Sequence, residues 1–226
     1  MARPHTSRAF QEELEALSAR LVGMGQRCTE LIEMASRAMS ERDVELAARV
    51  EAADREIDTH EMEIDELAVR ILALRQPAAR DLRFLVFALK VVTDLERIGD
   101  EAANLAERGA QLAAQGVPRT DLQPALQEMA ALTRVQVERA LEAFVAGDEA
   151  LAREVSARDD EVDERYRHLI DACRDHIEAH PDQTEVAICL ASSAKYLERI
   201  ADHATHIAEM VVFVTSGEDV RHPEKR

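Results

Sequence analysis

Tryptophan is absent, aromatic residues make up 3% of the 226 positions, and glycine and proline number only 7 and 6. So few breakers exclude a chain of many short turns and leave long helices uninterrupted. Cysteine is scarce too: Cys28, Cys173 and Cys189 are odd in number and form no CxxC pair. That excludes a disulfide framework or a cysteine zinc site, fits a reducing compartment, and marks each cysteine as a small core residue. Long apolar runs are missing. The longest, Phe84 to Leu89, is stopped by Arg83 and Lys90, far short of the roughly 20 residues a membrane span needs. Met1 to His5 lead into polar residues with no apolar stretch, so the expectation is a cytoplasmic protein without an export signal. Basic residues are outnumbered, 28 against 45 acids, for a net charge of −17. This excludes a nucleic-acid backbone as partner, permits metal cations and basic protein surfaces, and in its plainest reading serves solubility.

What is present is helical. Charged residues make up 32%, as expected of helices with one wet face. From about Ser7 to Ser40, Phe10, Leu14, Leu17, Leu21, Met24, Cys28, Leu31, Ala35 and Ala38 alternate steps of four and three. That is the apolar seam of a bundle helix. A second helix spans about Asp43 to Arg75, with a seam of Leu46, Val50, Ala53, Ile57, Ile64, Leu67, Ile71 and Leu74. His60 fills its one polar slot and is expected to be a partnered core-edge residue rather than a ligand. Pro77 disfavours helix at Gln76. A third helix then covers about Ala78 to Gln115, its seam being Phe84, Ala88, Val91, Leu95, Ile98, Ala102 and Leu105.

The stretch Gly116-Val117-Pro118-Arg119-Thr120-Asp121 is the clearest linker, with Thr120 and Asp121 offered as caps for the next helix. A fourth helix runs from about Leu122 to Ala146. Gly147-Asp148 restarts the chain for a fifth, to about Ala179, and His180-Pro181-Asp182 precedes a sixth, to about Thr215. The halves match in order. Leu95-Glu96-Arg97-Ile98-Gly99-Asp100 answers Leu197-Glu198-Arg199-Ile200-Ala201-Asp202, and Asp54-Arg55-Glu56-Ile57-Asp58 answers Asp159-Asp160-Glu161-Val162-Asp163. The shift is far longer than a solenoid repeat. The expected fold is all-α: two tandem three-helix bundles over residues 7–115 and 121–215, and a polar tail over 216–226.

Residues four apart stack on one helical face. Glu96 and Asp100 stand together, extended by Asn104 and Glu107, and are expected to point away from the apolar seam. Glu198, Asp202, His206 and Glu209 repeat the stripe in the second half. Asp54 and Asp58, continued by Glu61 and Asp65, sit at the edge of their seam, and Asp159 and Asp163 are their counterparts. A single such pair is what any soluble bundle displays; matched pairs in both halves point to a cation that relieves their repulsion. All-oxygen donors favour magnesium, calcium, manganese or iron over copper or zinc. His206 is either an added nitrogen ligand or, more plainly, a solvated outer-face residue.

At these residues the chain resembles the PhoU family. Arg75-Gln76-Pro77-Ala78-Ala79-Arg80-Asp81-Leu82-Arg83 followed by Leu95 to Asp100 is similar to its first-half motif. Leu197 to Asp202 and the tail Gly217-Glu218-Asp219-Val220-Arg221-His222 are similar to its second. The resemblance implies paired, self-associating three-helix bundles, usually homodimers. It also implies surface clusters of iron, zinc or another divalent metal, held here by Asp54, Asp58, Glu96 and Asp100 and by Asp159, Asp163, Glu198 and Asp202. The implied role is negative regulation of phosphate uptake and the starvation response, coupling a phosphate ABC transporter ATPase to a sensor histidine kinase. One departure stands out: Ala201 replaces Gly99 in the second motif, with His203 and His206 after it.

Two other readings compete. One is a metal-free helical adaptor. The other is a carboxylate-bridged di-metal enzyme, which needs Glu-x-x-His and inward carboxylates. No Glu precedes any His by three. GxSxG and GxxxxGK[ST] are missing as well, so catalysis is not expected. No Gly-rich nest for phosphate is visible either.

Overall fold

The computed structural model describes residues 8–218 and 220. Its helices are α1 (Arg8–Glu41), α2 (Val44–Arg75), α3 (Ala79–Gln115), α4 (Gln123–Ala146), α5 (Glu149–Ala157), α6 (Asp159–Ala179) and α7 (Thr184–Ser216), with a 3-10 turn at Pro181–Gln183. The first bundle is α1, α2 and α3; the second is α4, the pair α5 and α6, and α7. They lie side by side along α3 and α7, with α1 also touching α4. Among the described residues no helix is long and apolar enough to cross a membrane.

The α1 seam is buried as its spacing predicts, from Phe10 through Ala38. Each fully buried leucine in it, such as Leu17 at 0% exposure, contributes about 1.5–3 kcal/mol of burial. In α2 the seam holds from Leu46 to Ile71, but Ala53 is only half-buried and Leu74 is 68% exposed. Leu74 lies in the last turn of α2. His60 departs from expectation as well: its Nδ1 is buried yet has no hydrogen-bond partner among the described residues. In α3 Phe84 is half-buried while the rest of the seam is covered. A second buried row, including Val92, Asp94, Gly99, Glu101, Ala106 and Gly109, covers the side of α3 turned to α7 or to its own bundle.

Local chemistry sets the ends. Asp43 caps α2 by accepting from Leu46 N at 2.9 Å, and Asp148 caps α5 by accepting from Leu151 N at 3.0 Å. Gln76, Gly116, Gly147 and Gly217 close helices in the left-handed conformation. The linker is pinned by Arg42, whose guanidinium donates to Val117 O and, at 2.9 Å, to Pro118 O. Thr120 and Asp121 do not cap α4. Leu122 takes that position without a side-chain bond, and Pro124 follows Gln123 in the first turn, a place where a missing N–H costs nothing.

The fifth predicted helix is divided. Arg158 leaves helical geometry (φ −98°, ψ 4°), ending α5 and starting α6. Asp159, Asp160 and Glu161 then fall in the first turn of α6, where the helix dipole favours negative charge. Asp54, the counterpart of Asp159, instead lies in the middle of the unbroken α2.

Candidate metal sites

The Gln76-Pro77 turn brings α2 back beside α3. Asp54, Asp58 and Asp100 each bring a carboxylate oxygen within 4.8 Å of the others. Glu96, four residues before Asp100, stands alongside. Arg97 is held to both, Nε lying 3.3 Å from Glu96 and Nη1 donating to Asp100 at 3.1 Å. Asp54 is the innermost of the set. Its Oδ1 is buried and lacks a hydrogen-bond partner among the described residues. It occupies space left by Gly99, where an added Cβ would sit 2.7 Å from that oxygen. Burial, then the charges of Asp100, Asp58 and Glu96, push its carboxyl up to about 6. Glu96 is raised by burial and by Asp100. Glu61 is raised by burial, then by Asp65 and Asp58, so the ridge on α2 is electrically part of this cluster.

The second bundle repeats the arrangement with different members. Asp163 on α6 meets Glu198 and Asp202 on α7, again within 4.8 Å. Lys195 Nζ donates to Glu198 at 2.5 Å. Asp202 is pushed up to about 6 by partial burial, then by Glu198, Asp159 and Asp163. Asp159 stays outside the triad. It accepts from Thr205 Oγ1 at 2.8 Å and from Gln136 Nε2 at 3.4 Å, while Gln136 also donates to Thr205 at 2.8 Å.

All eight residues singled out from the sequence therefore fall into two clusters, six of them in close triads and Glu96 and Asp159 beside them. Asp54, Asp58, Asp159 and Asp163 lie at the edge of the apolar seam as expected, but Glu96, Asp100 and Glu198 do not face outward as expected. Except for Asp202, these carboxylates are half-buried. They line the grooves between α2 and α3 and between α6 and α7 rather than a solvated outer face. The stripe beyond them also splits. His206 turns towards α3, its Nδ1 donating to Asp94 Oδ2 at 2.7 Å, and His203 Nδ1 donates to Asp94 Oδ1 at 3.0 Å.

Asp94 belongs to a polar set that lies off the apolar seam of α3. Asp94, Glu101, Arg108 and Gln115 recur every seven residues on α3 and meet α7 running the other way. Arg199 donates to Glu101 at 3.0 Å, Arg108 to Tyr196 at 3.2 Å, and Gln115 to Glu185 at 3.5 Å. Burial raises the Asp94 carboxyl, but the hydrogen bonds from His203 and His206 outweigh it and hold the group below its ordinary value. The seven-residue spacing of polar residues was the available clue, repeated on α7 by Glu185, Ser192, Arg199 and His206.

A cation fits the first cluster on three grounds: an all-oxygen donor set, a buried oxygen without a partner, and a glycine cradle that admits it. Asp54, Asp58 and Asp100 would hold it there, and Asp163, Glu198 and Asp202 in the second bundle. Its chemistry would be the neutralisation of crowded carboxylates.

The PhoU domain matches this chain twice, at residues 21–109 and 126–211. The phosphate-specific transport system accessory protein PhoU homolog of Pseudomonas aeruginosa is 37% identical, over 96% of this chain and 90% of its own length. The homolog of Caulobacter vibrioides is also 37% identical, over 96% and 94%. Among solved structures, PhoU from Pseudomonas aeruginosa superposes with a TM-score of 0.89 at 36% identity, covering 92% of this chain and all of the other. The phosphate transport system regulatory protein PhoU from Streptococcus pneumoniae gives 0.84 at 28% identity, over 93% and 99%. Two repeats of one domain, matching sequence and fold over nearly the full length, make this chain a member of the PhoU family.

Proposed function

We propose that the chain is a cytoplasmic accessory regulator of phosphate uptake, restraining the phosphate ABC transporter and its sensor histidine kinase when phosphate is plentiful. It acts as a homodimer and by binding rather than catalysis. The observation that carries the reading is the pair of carboxylate triads at equivalent grooves of a doubled PhoU domain. The relatives' description as phosphate transport accessory proteins supports the process. In this reading the triads take divalent cations, iron, zinc or manganese among them, which lock α2 to α3 and α6 to α7 and change the charge a partner meets.

The test is complementation. In a strain lacking its own PhoU, this chain restores repression of phosphate uptake and of a starvation reporter, and the purified chain captures the transporter ATPase and the kinase. Unrestrained uptake, with a stably expressed chain that captures neither protein, overturns the proposal. One observation favours a metal-free adaptor instead: Arg97 and Lys195 already pair with members of the two clusters. Elemental analysis of protein purified without tag or chelator separates the two, since the adaptor is metal-free while still binding the ATPase.

A further inference from the structure

The two halves present the same four acidic positions, yet each assembles a different three. The first triad takes both α2 aspartates and the second residue of the α3 pair; the second triad takes one α6 aspartate and both residues of the α7 pair. Positive charge does not explain the difference, because each triad already has one member held by a cation, Asp100 by Arg97 and Glu198 by Lys195.

The difference is steric and lies at one position of the repeat. Gly99 has no Cβ, and Asp54 Oδ1 fills that volume; a methyl group there would press on it at 2.7 Å and on Ile57 Cδ1 at 3.1 Å. Ala201, its counterpart, carries the methyl group and is buried at 1% exposure. An aspartate posed like Asp54 would collide with it. Asp159 sits at the start of α6, after the break at Arg158, and is tied away by Thr205 and Gln136. The positions corresponding to those two donors in the first half are Ala103 and Leu31, which donate no side-chain hydrogen bond.

We propose that the Gly99/Ala201 difference makes the two sites unequal: Asp54 enters the first with a buried Oδ1 that has no hydrogen-bond partner among the described residues, and Asp159 is withheld from the second by its neighbours. The inference rests on reading the triads as cation sites. Under it the first bundle holds the tight site for a hard divalent cation and the second a weaker one, because a carboxylate with one oxygen already out of water and free of donors has less to give up on binding. The repeat thus supplies one site suited to permanent occupancy and one that responds to cation supply.

The experiment titrates the full-length chain with Mn2+ and follows loss of the free-ion EPR signal, with circular dichroism to check the fold. Two classes of site are expected, the tight one abolished by Asp100→Asn and the weak one by Asp202→Asn. Gly99→Ala weakens only the tight class, by about ten- to hundredfold, the range for groups that position a ligand. Because that change also crowds Ile57, the converse variant Ala201→Gly/Thr205→Val provides a second arm, and it strengthens only the weak class. Two sites of equal affinity, or a converse variant with the weak class unchanged, overturn the inequality and leave the cation reading intact. No Mn2+ binding at all overturns both.

Discussion

Gly23 and Gly109 look alike in the sequence, each inside a long helix, but their surroundings call for opposite outcomes. Nothing lies within 4 Å of a Cβ added at Gly23, so Gly23→Ala should stabilise the protein by about 0.5–1 kcal/mol through lower backbone entropy in the unfolded chain. At Gly109 the same methyl group meets Ala38 O and Met39 Cα at 2.6 Å. These are backbone atoms of α1 and cannot rotate aside. Gly109→Ala should therefore destabilise by about 1–3 kcal/mol, despite the better helix propensity of alanine. Urea midpoints of the two variants, compared at constant slope, check both signs. A neutral Gly109→Ala would mean that α1 and α3 can separate without loss.

At the scale of the element, equivalent helix starts use equivalent chemistry. Asp43 and Asp148 each accept a hydrogen bond from the backbone three residues on, and each satisfies an N–H that the helix leaves open. Asp43→Ala and Asp148→Ala should each cost about 1 kcal/mol. The two caps belong to separate bundles, so the double variant should show the sum. Thermal or urea unfolding of the three variants checks this, and a clear shortfall in the double would show that the bundles communicate through these ends. The counterpart of α2 is less uniform. Its break at Arg158 separates α5 from α6 and changes where Asp159 stands, although the acidic spacing is the same in both halves.

For the whole molecule the decisive surface is where α3 meets α7. Asp94 is buried and takes two hydrogen bonds from His203 and His206. Asp94→Asn should cost about 2–3 kcal/mol, since hydrogen bonds to a charged acceptor are among the stronger ones. The dependence on pH follows from linkage. The folded-state value of Asp94 is depressed below 3.8, so the folded state binds this proton less readily than the unfolded chain. Its stabilising contribution is present above about pH 4 and is lost as pH falls through the folded value. The gap in stability between the wild-type chain and Asp94→Asn should therefore narrow on acidification below about pH 4. Urea titrations at pH 7, 4 and 3 measure it, and a gap constant across that range would remove the charged carboxylate from the account.

The sequence by itself determined the helices apart from the break at Arg158, most of their buried faces, the linker, the repeat and the eight acidic residues of the two clusters. Periodicity and breakers are local: Phe10 to Ala38 repeat at the pitch of one helix, and Pro77, Gly116 and Pro181 act on their own neighbours. Only the tertiary structure decided which way those acids face and which of them meet. Asp94, Glu101 and Arg108 read in one dimension as ordinary polar positions beside a seam. They became interior contacts because α3 has a second partner, α7, which begins 69 residues after α3 ends. Asp54 and Asp159 carry the same spacing, but one enters its triad and the other is tied away. What separates them is packing between helices: Gly99 on α3 leaves room for Asp54, while Thr205 and Gln136 donate to Asp159, and no pattern within α2 or α6 contains either fact.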